Sequence, residues 1–153
     1  MFENVDDIYE HLGQSMFNQL PDDWDVAYLE VNLHRIDVSI SIGSHYVYQE
    51  KTNDFDLDVV NGVYKNSKCG KAFYSLYKIM QKDKDDIPWN KVRFEITLEG
   101  DFSIDFKYDE DFVWYKSLDI DSQEYDDLDI DVINQIKSWD GLPENAPRYW
   151  NKN

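Results

Sequence analysis

Apolar residues recur along this chain with two periods, and the switches between them mark its elements. From 4 to 20, Val5, Ile8, Leu12, Met16 and Leu20 fall three and four apart, on one stripe of a helix. Asn4 can cap its start, Asp6 and Asp7 occupy its first turn, and Pro21 stops it. From 24 to 33 the period is two: Ala27, Leu29, Val31 and Leu33 alternate with Tyr28, Glu30 and Asn32. Residues 36–42 repeat the pattern with Ile36, Val38, Ile40 and Ile42. Two strands are predicted. Their apolar faces coincide if Leu33 lies opposite Ile36, with His34-Arg35 as the turn. That dipeptide is not a favoured turn, so a wider loop is the alternative.

Residues 43–66 carry the weakest pattern. Tyr46, Val47 and Tyr48 can continue the sheet, Phe55, Leu57, Val59 and Val60 can form a short edge strand or an irregular segment, and Asn61-Gly62 is a turn signal. A second helix is predicted over 67–82, capped by Ser67, with Cys69, Ala72, Phe73, Leu76, Tyr77 and Met80 as its stripe. Val92, Phe94, Ile96 and Leu98 then alternate, as do Phe102, Ile104, Phe106 and Tyr108. A three-residue loop, Glu99-Gly100-Asp101, aligns the two apolar sets, with Gly100 free to take positive φ. This register sets Arg93 near Lys107 and Glu95 near Asp105, and like charges directly opposite are unfavourable. Residues 109–121 read as a connection. A third helix is predicted over 123–139, its stripe formed by Tyr125, Leu128, Val132, Ile136 and Trp139, and Gly141 can end it. Together these elements predict an α+β fold over residues 1–153. It is a single domain with a mostly antiparallel sheet of about four to six strands, two hairpins among them, and about three helices packed on it.

Charge sharpens this outline. The 153 residues carry 32 Asp and Glu against 15 Lys and Arg, a formal charge of −17. Polyanions and anionic membrane surfaces repel such a chain, so neither nucleic acid nor membrane is an expected partner. With 42% hydrophobic and 16% aromatic residues, the chain can build a core rather than stay disordered. The single cysteine, Cys69, suits a reducing compartment. No basic segment leads into an apolar stretch at the N-terminus and no run of about 18 apolar residues occurs. A cytoplasmic protein is the expectation.

The carboxylates cluster. Asp119, Asp121, Glu124, Asp126, Asp127, Asp129 and Asp131 follow Asp109, Glu110 and Asp111. On a continuous helix Glu124, Asp127 and Asp131 share an exposed face. Carboxylates at one helix N-terminus explain a few of these acids, and a partner-binding surface is the competing explanation for all ten. Calcium is a poor fit. Asp54-x-Asp56-x-Asp58 and Asp127-x-Asp129-x-Asp131 open like an EF-hand loop, but Val59 and Val132 stand at the sixth position and Lys65 and Ser138 at the twelfth. His11, His34 and His45 belong to no catalytic motif, and Cys69 sits on a core stripe. The expectation is a binding protein, not an enzyme, with no catalytic residue, metal or cofactor.

Three stretches resemble the YezG-like family of bacterial immunity proteins, the antitoxins of secreted polymorphic and contact-dependent toxins. They are Pro21-Asp-Asp-Trp24-Asp-Val-Ala-Tyr28, the hairpin from Trp89 through Phe94 and Gly100 to Tyr108-Asp-Glu, and Trp139-Asp-Gly-Leu-Pro-Glu144. Element order agrees over most of residues 3–144. Residues 45–66 depart from the family's usual acidic-Ile-Pro step, and the 67–82 helix is shorter and more basic. The resemblance implies a cytoplasmic inhibitor of a toxin C-terminal domain, commonly a nuclease. A nuclease cleft is basic because its substrate is a polyanion, so an acidic inhibitor complements it. An acidic adaptor or a DNA mimic for another basic protein is the alternative.

Overall fold

The computed structural model describes residues 2–35, 39–57, 59–60, 63–64 and 68–148. The chain is α+β. Among the described residues it has one open antiparallel sheet of five strands, a separate two-stranded ribbon and five helices. It divides into two compact units, residues 1–107 and 108–153.

In the first unit, α1 spans Val5–Phe17 and α2 spans Cys69–Met80. The strands are β1 (Val26–Arg35), β2 (Ser39–Tyr48), β3 (Lys51–Asp54), β6 (Lys91–Thr97) and β7 (Phe102–Lys107), in the order β3-β2-β1-β6-β7. The ribbon pairs β4 (Val59–Val60) with β5 (Val63–Tyr64). The turn signal Asn61-Gly62, the expected cap Ser67 and the expected strand residues Ile36 and Val38 lie outside the described residues.

The helix stripes are where the pattern puts them. Asn4 accepts a hydrogen bond from the Asp7 backbone N–H at 2.9 Å and starts α1, whose Ile8, Leu12 and Met16 are buried. Cys69, Ala72, Phe73, Leu76 and Tyr77 are buried on α2, which begins at Lys68 without a side-chain cap. Both helices pack on Ala27, Leu29, Val31, Val92, Phe94 and Ile96, the inward face of β1 and β6. Trp24 and Trp89 close this core, Trp89 edge-on to Tyr77 at 5.3 Å. Each fully buried side chain of this size contributes roughly 1.5–3 kcal/mol.

Register is where the sequence reading needs correction. Leu33 lies opposite Ile40, not Ile36, so the wider loop replaces the His34-Arg35 turn. In the second hairpin Phe94 pairs with Ile104, Arg93 with Asp105 and Glu95 with Ser103. The expected Arg93–Lys107 and Glu95–Asp105 pairs do not form. The loop is Leu98-Glu99-Gly100, one residue earlier than expected: the Thr97 N–H donates to the Asp101 carbonyl at 2.8 Å and the Gly100 N–H to the Thr97 carbonyl at 3.0 Å. A three-residue loop needs its left-handed residue last, and Gly100 fills that place with φ 95°. The slip moves the pairing by two residues and keeps the apolar side chains on their face; it exchanges the two expected like-charge pairs for Arg93–Asp105 and Glu95–Ser103, while Lys91 comes to lie opposite Lys107. β2 and β3 join through Gln49-Glu50, both at positive φ (50° and 67°), a turn that Asn-Gly would ordinarily form.

The second unit is helical: α3 (Glu110–Ser117), α4 (Gln123–Asp126) and α5 (Ile130–Lys137). Two expectations change here. The connection at 109–121 contains a helix, and the 123–139 helix is broken into two. A small core of Phe112, Tyr115, Ile133, Ile136 and Leu142 joins them.

Candidate functional site

The ten carboxylates singled out from the sequence all belong to the second unit, and local backbone chemistry explains where many of them stand. Asp109 opens α3: its Oδ1 accepts from the backbone N–H groups of Asp111 (2.9 Å) and Phe112 (3.3 Å). Glu110 and Asp111 occupy the first turn. The contiguous run Phe112-Val113-Trp114-Tyr115 has no 3.6-residue period, which hides the helix from a periodicity argument; Phe112 and Tyr115 face inward and Val113 faces out.

Asp119 takes the Asp121 N–H at 2.9 Å and so shapes the turn into α4, which Ser122 caps through the Tyr125 N–H. Glu124 and Asp126 lie on this single turn, and Asp127, its C-cap, accepts from the Gln123 side-chain amide at 2.7 Å. Asp129 then breaks the expected long helix. It leaves the helical conformation, accepts from the Asp131 N–H at 2.8 Å and starts α5. An Asp competes for backbone N–H groups in this way, which disfavours it inside a helix and favours it at the start of one. Three helix N-termini in place of one give the acids three positive dipole ends.

Glu110, Asp119, Asp121, Glu124, Asp126, Asp127, Asp129 and Asp131 are exposed. Asp111 is half-buried and pairs with Arg148 at 3.0 Å, while the same guanidinium donates to the carbonyls of Pro143 and Ala146. The shared helical face expected for Glu124, Asp127 and Asp131 does not exist, because the three sit on α4, at its end and on α5. Sequence reasoning missed two residues among these acids. Ile120 and Ile130 are exposed at 67% and 65%, more than any other large hydrophobic residue described. Their signal was an isoleucine flanked by aspartates and off the expected stripe. Tyr115 is buried; it stacks on Tyr125 at 6.1 Å, and its hydrogen bond raises the Tyr125 phenol pKa above its ordinary value.

A polar cluster occupies the outward face of the sheet in the first unit. The Arg93 guanidinium lies over the Tyr28 ring at 3.9 Å, and Glu30 sits 3.7 Å from Arg93 Nε and 3.2 Å from His45 Nε2. Burial and the neighbouring Glu95 raise the Tyr28 phenol pKa. Among the described residues no three of His, Cys, Asp or Glu come together as a metal site would need, and no helix is long and apolar enough to cross a membrane. The segments that carry the family resemblance have structural roles here: Trp24 and Trp89 fill the core, Gly100 and Gly141 hold positive φ, and the Pro143 carbonyl accepts from Arg148. No family model matches the chain, and no curated protein matches it.

Proposed function

We propose that this chain is an immunity protein of the YezG-like kind, which binds and neutralises the C-terminal domain of a secreted toxin, a basic nuclease, through the acidic surface of residues 109–131. One observation carries the reading: Ile120 and Ile130 stand uncovered among exposed carboxylates. Interfaces combine such apolar anchors with charges that steer the approach. Asp119, Asp121, Asp129 and Asp131 flank the two isoleucines in sequence, and only Lys116 opposes the ten acids between 109 and 131. Inhibition is stoichiometric and requires no chemistry from this chain.

The test is co-purification with the product of the adjacent gene, followed by a nuclease assay with and without this chain. Protection at one-to-one stoichiometry is the expected result. Within that complex Ile130→Ser should speed dissociation by about tenfold or more, as truncation of an interface anchor does. Asp121→Lys with Glu124→Lys should slow association, and raised salt should reduce the difference. A complex in which both sets of substitutions are silent would place the contact elsewhere. A partner that is basic but not toxic would favour the adaptor or DNA-mimic reading.

A further inference from the structure

The first unit holds a groove that the acidic stretch does not account for. Along α1, Asp6, Tyr9, Glu10, Gly13, Gln14 and Phe17 form a second stripe beside the core stripe, and this stripe faces the β6–β7 hairpin across a cavity of about 340 Å³. That volume is at the small end of ligand clefts, which run from roughly 300 to 1,000 Å³. It admits a side chain or two, not the face of a folded domain.

The floor is aromatic. Tyr9 lies 5.1 Å from Phe102 and 6.2 Å from Phe94, and Phe94 and Phe102 stack at 5.6 Å. Phe94 is buried, but Phe102 is 51% exposed although the strand alternation turns it toward the helices. Gly13 also lines the groove, and a Cβ there would meet no atom within 4 Å, so the wall is open at this position and Tyr9 is the helix residue stacked against the Phe102 ring. Burial and Asp6 raise the Tyr9 phenol pKa, so the hydroxyl stays neutral and can donate.

The rim has one sign. Asp6 and Glu10 line the groove, Glu99 and Asp101 adjoin its Gly100, and no lining residue is Lys or Arg. The first 34 residues of the chain contain neither. Such a rim repels a second copy of this chain at −17, an anionic membrane and a nucleic acid alike. What complements it is an apolar side chain carried between cations, because aromatic faces attract Lys and Arg as well as hydrocarbon.

We infer that the groove between α1 and the β6–β7 hairpin is a docking site for a basic protein segment that inserts one aliphatic or aromatic side chain flanked by Lys or Arg. None of the lining residues belongs to 109–131, and the inference does not require the partner to be a toxin.

The experiment titrates the isotope-labelled full-length chain with three capped peptides and follows the backbone amides by NMR. The probes are Lys-Lys-Trp-Leu-Lys-Lys, the same peptide with Ser-Ser at its centre, and Glu-Glu-Trp-Leu-Glu-Glu. Only the first should shift the amides of Tyr9, Gly13, Gly100 and Phe102. Gly13→Leu should fill the groove and weaken this binding by about tenfold or more, the effect of losing an anchor pocket. Asp6→Lys with Glu10→Lys should transfer the preference to the Glu-flanked peptide, and this pair gives the answer even if Gly13→Leu does not fold. The inference is overturned by equal binding of the Ser-centred peptide, by shifts confined to residues 109–131, by unchanged binding to Gly13→Leu in a native spectrum, or by no shift at millimolar peptide. Because the probes are synthetic, failure here leaves the toxin reading intact, and failure of the toxin reading leaves this result intact.

Discussion

Carboxylates crowd both units of this protein, but they stand in different company. In residues 109–131 the acids serve short helices: Asp109 and Asp129 hold backbone N–H groups, Asp119 shapes a turn, and Asp111 is occupied by Arg148. On α1, Asp6 and Glu10 stand beside uncovered aromatic rings. The cores beneath differ as well. Among the described residues, seventeen buried side chains support the first unit and five support the second. A run of acids in a sequence is therefore not yet a surface. A carboxylate bound to its own backbone has given part of its potential to folding, and one beside exposed hydrocarbon keeps it for a partner.

Four sets of substitutions sharpen this contrast. The largest effect is expected from Ile136→Ala, which removes one of the five core side chains described in the second unit. A loss of about 2–5 kcal/mol should appear in urea unfolding, with hydrogen exchange rising first in α5. Next come the caps. Asp109→Ala and Asp129→Ala should each cost about 0.5–2 kcal/mol, whereas Asp121→Ala, at an exposed position outside the helices, should stay within about 0.5 kcal/mol. Equal effects at all three would erase the distinction between capping and free acids. Gly13→Ala should stabilise the first unit by roughly 0.5–1 kcal/mol, since alanine favours the helix and its Cβ meets open space. A destabilised variant would show that the groove is closed in solution.

The smallest effect concerns pH. Burial, reinforced by Lys68, lowers the His11 pKa below its ordinary value of 6.5. The unfolded chain therefore binds the proton first as pH falls. Stability from this group is complete above the ordinary value and is lost as pH falls through the lowered one. His11→Gln should flatten that part of the stability profile as pH falls below the ordinary histidine value. A profile identical to that of the unsubstituted chain would show that His11 is solvated as freely in the fold as out of it.

The readable parts of the sequence were those in which local chemistry and final structure agree. Asn4 and the stripe through Ile8, Leu12 and Met16 announce α1, and alternation announces β1, β6 and β7. The turn between β2 and β3 was hidden because Gln49 and Glu50 hold a left-handed conformation that their side chains disfavour. The helix α3 (Glu110–Ser117) was hidden because its apolar residues are contiguous, and the break at Asp129 because a stripe counted at 100° per residue takes no account of an Asp that prefers to start a helix. Of the candidate site, the ten acids were visible by composition. Ile120 and Ile130 carried only the signal of their flanking aspartates, and the groove carried none, since the exposure of Phe102 on an alternating strand is decided by what packs over it.

What the amino-acid order determines by itself here is direction. Side chains leave a strand on alternate sides and a helix at fixed angles, so period alone tells which residues share a face. Tertiary structure decides register and cover. A slip of two residues preserves every face, so pairing Arg93 with Asp105 rather than Lys107 depends on the left-handed place that Gly100 takes in the loop and on the charges met across the strands. Whether Phe102 is covered depends on which residues of α1 face it, and these are Tyr9 against the ring and Gly13 in the same groove, both some ninety positions earlier in the chain.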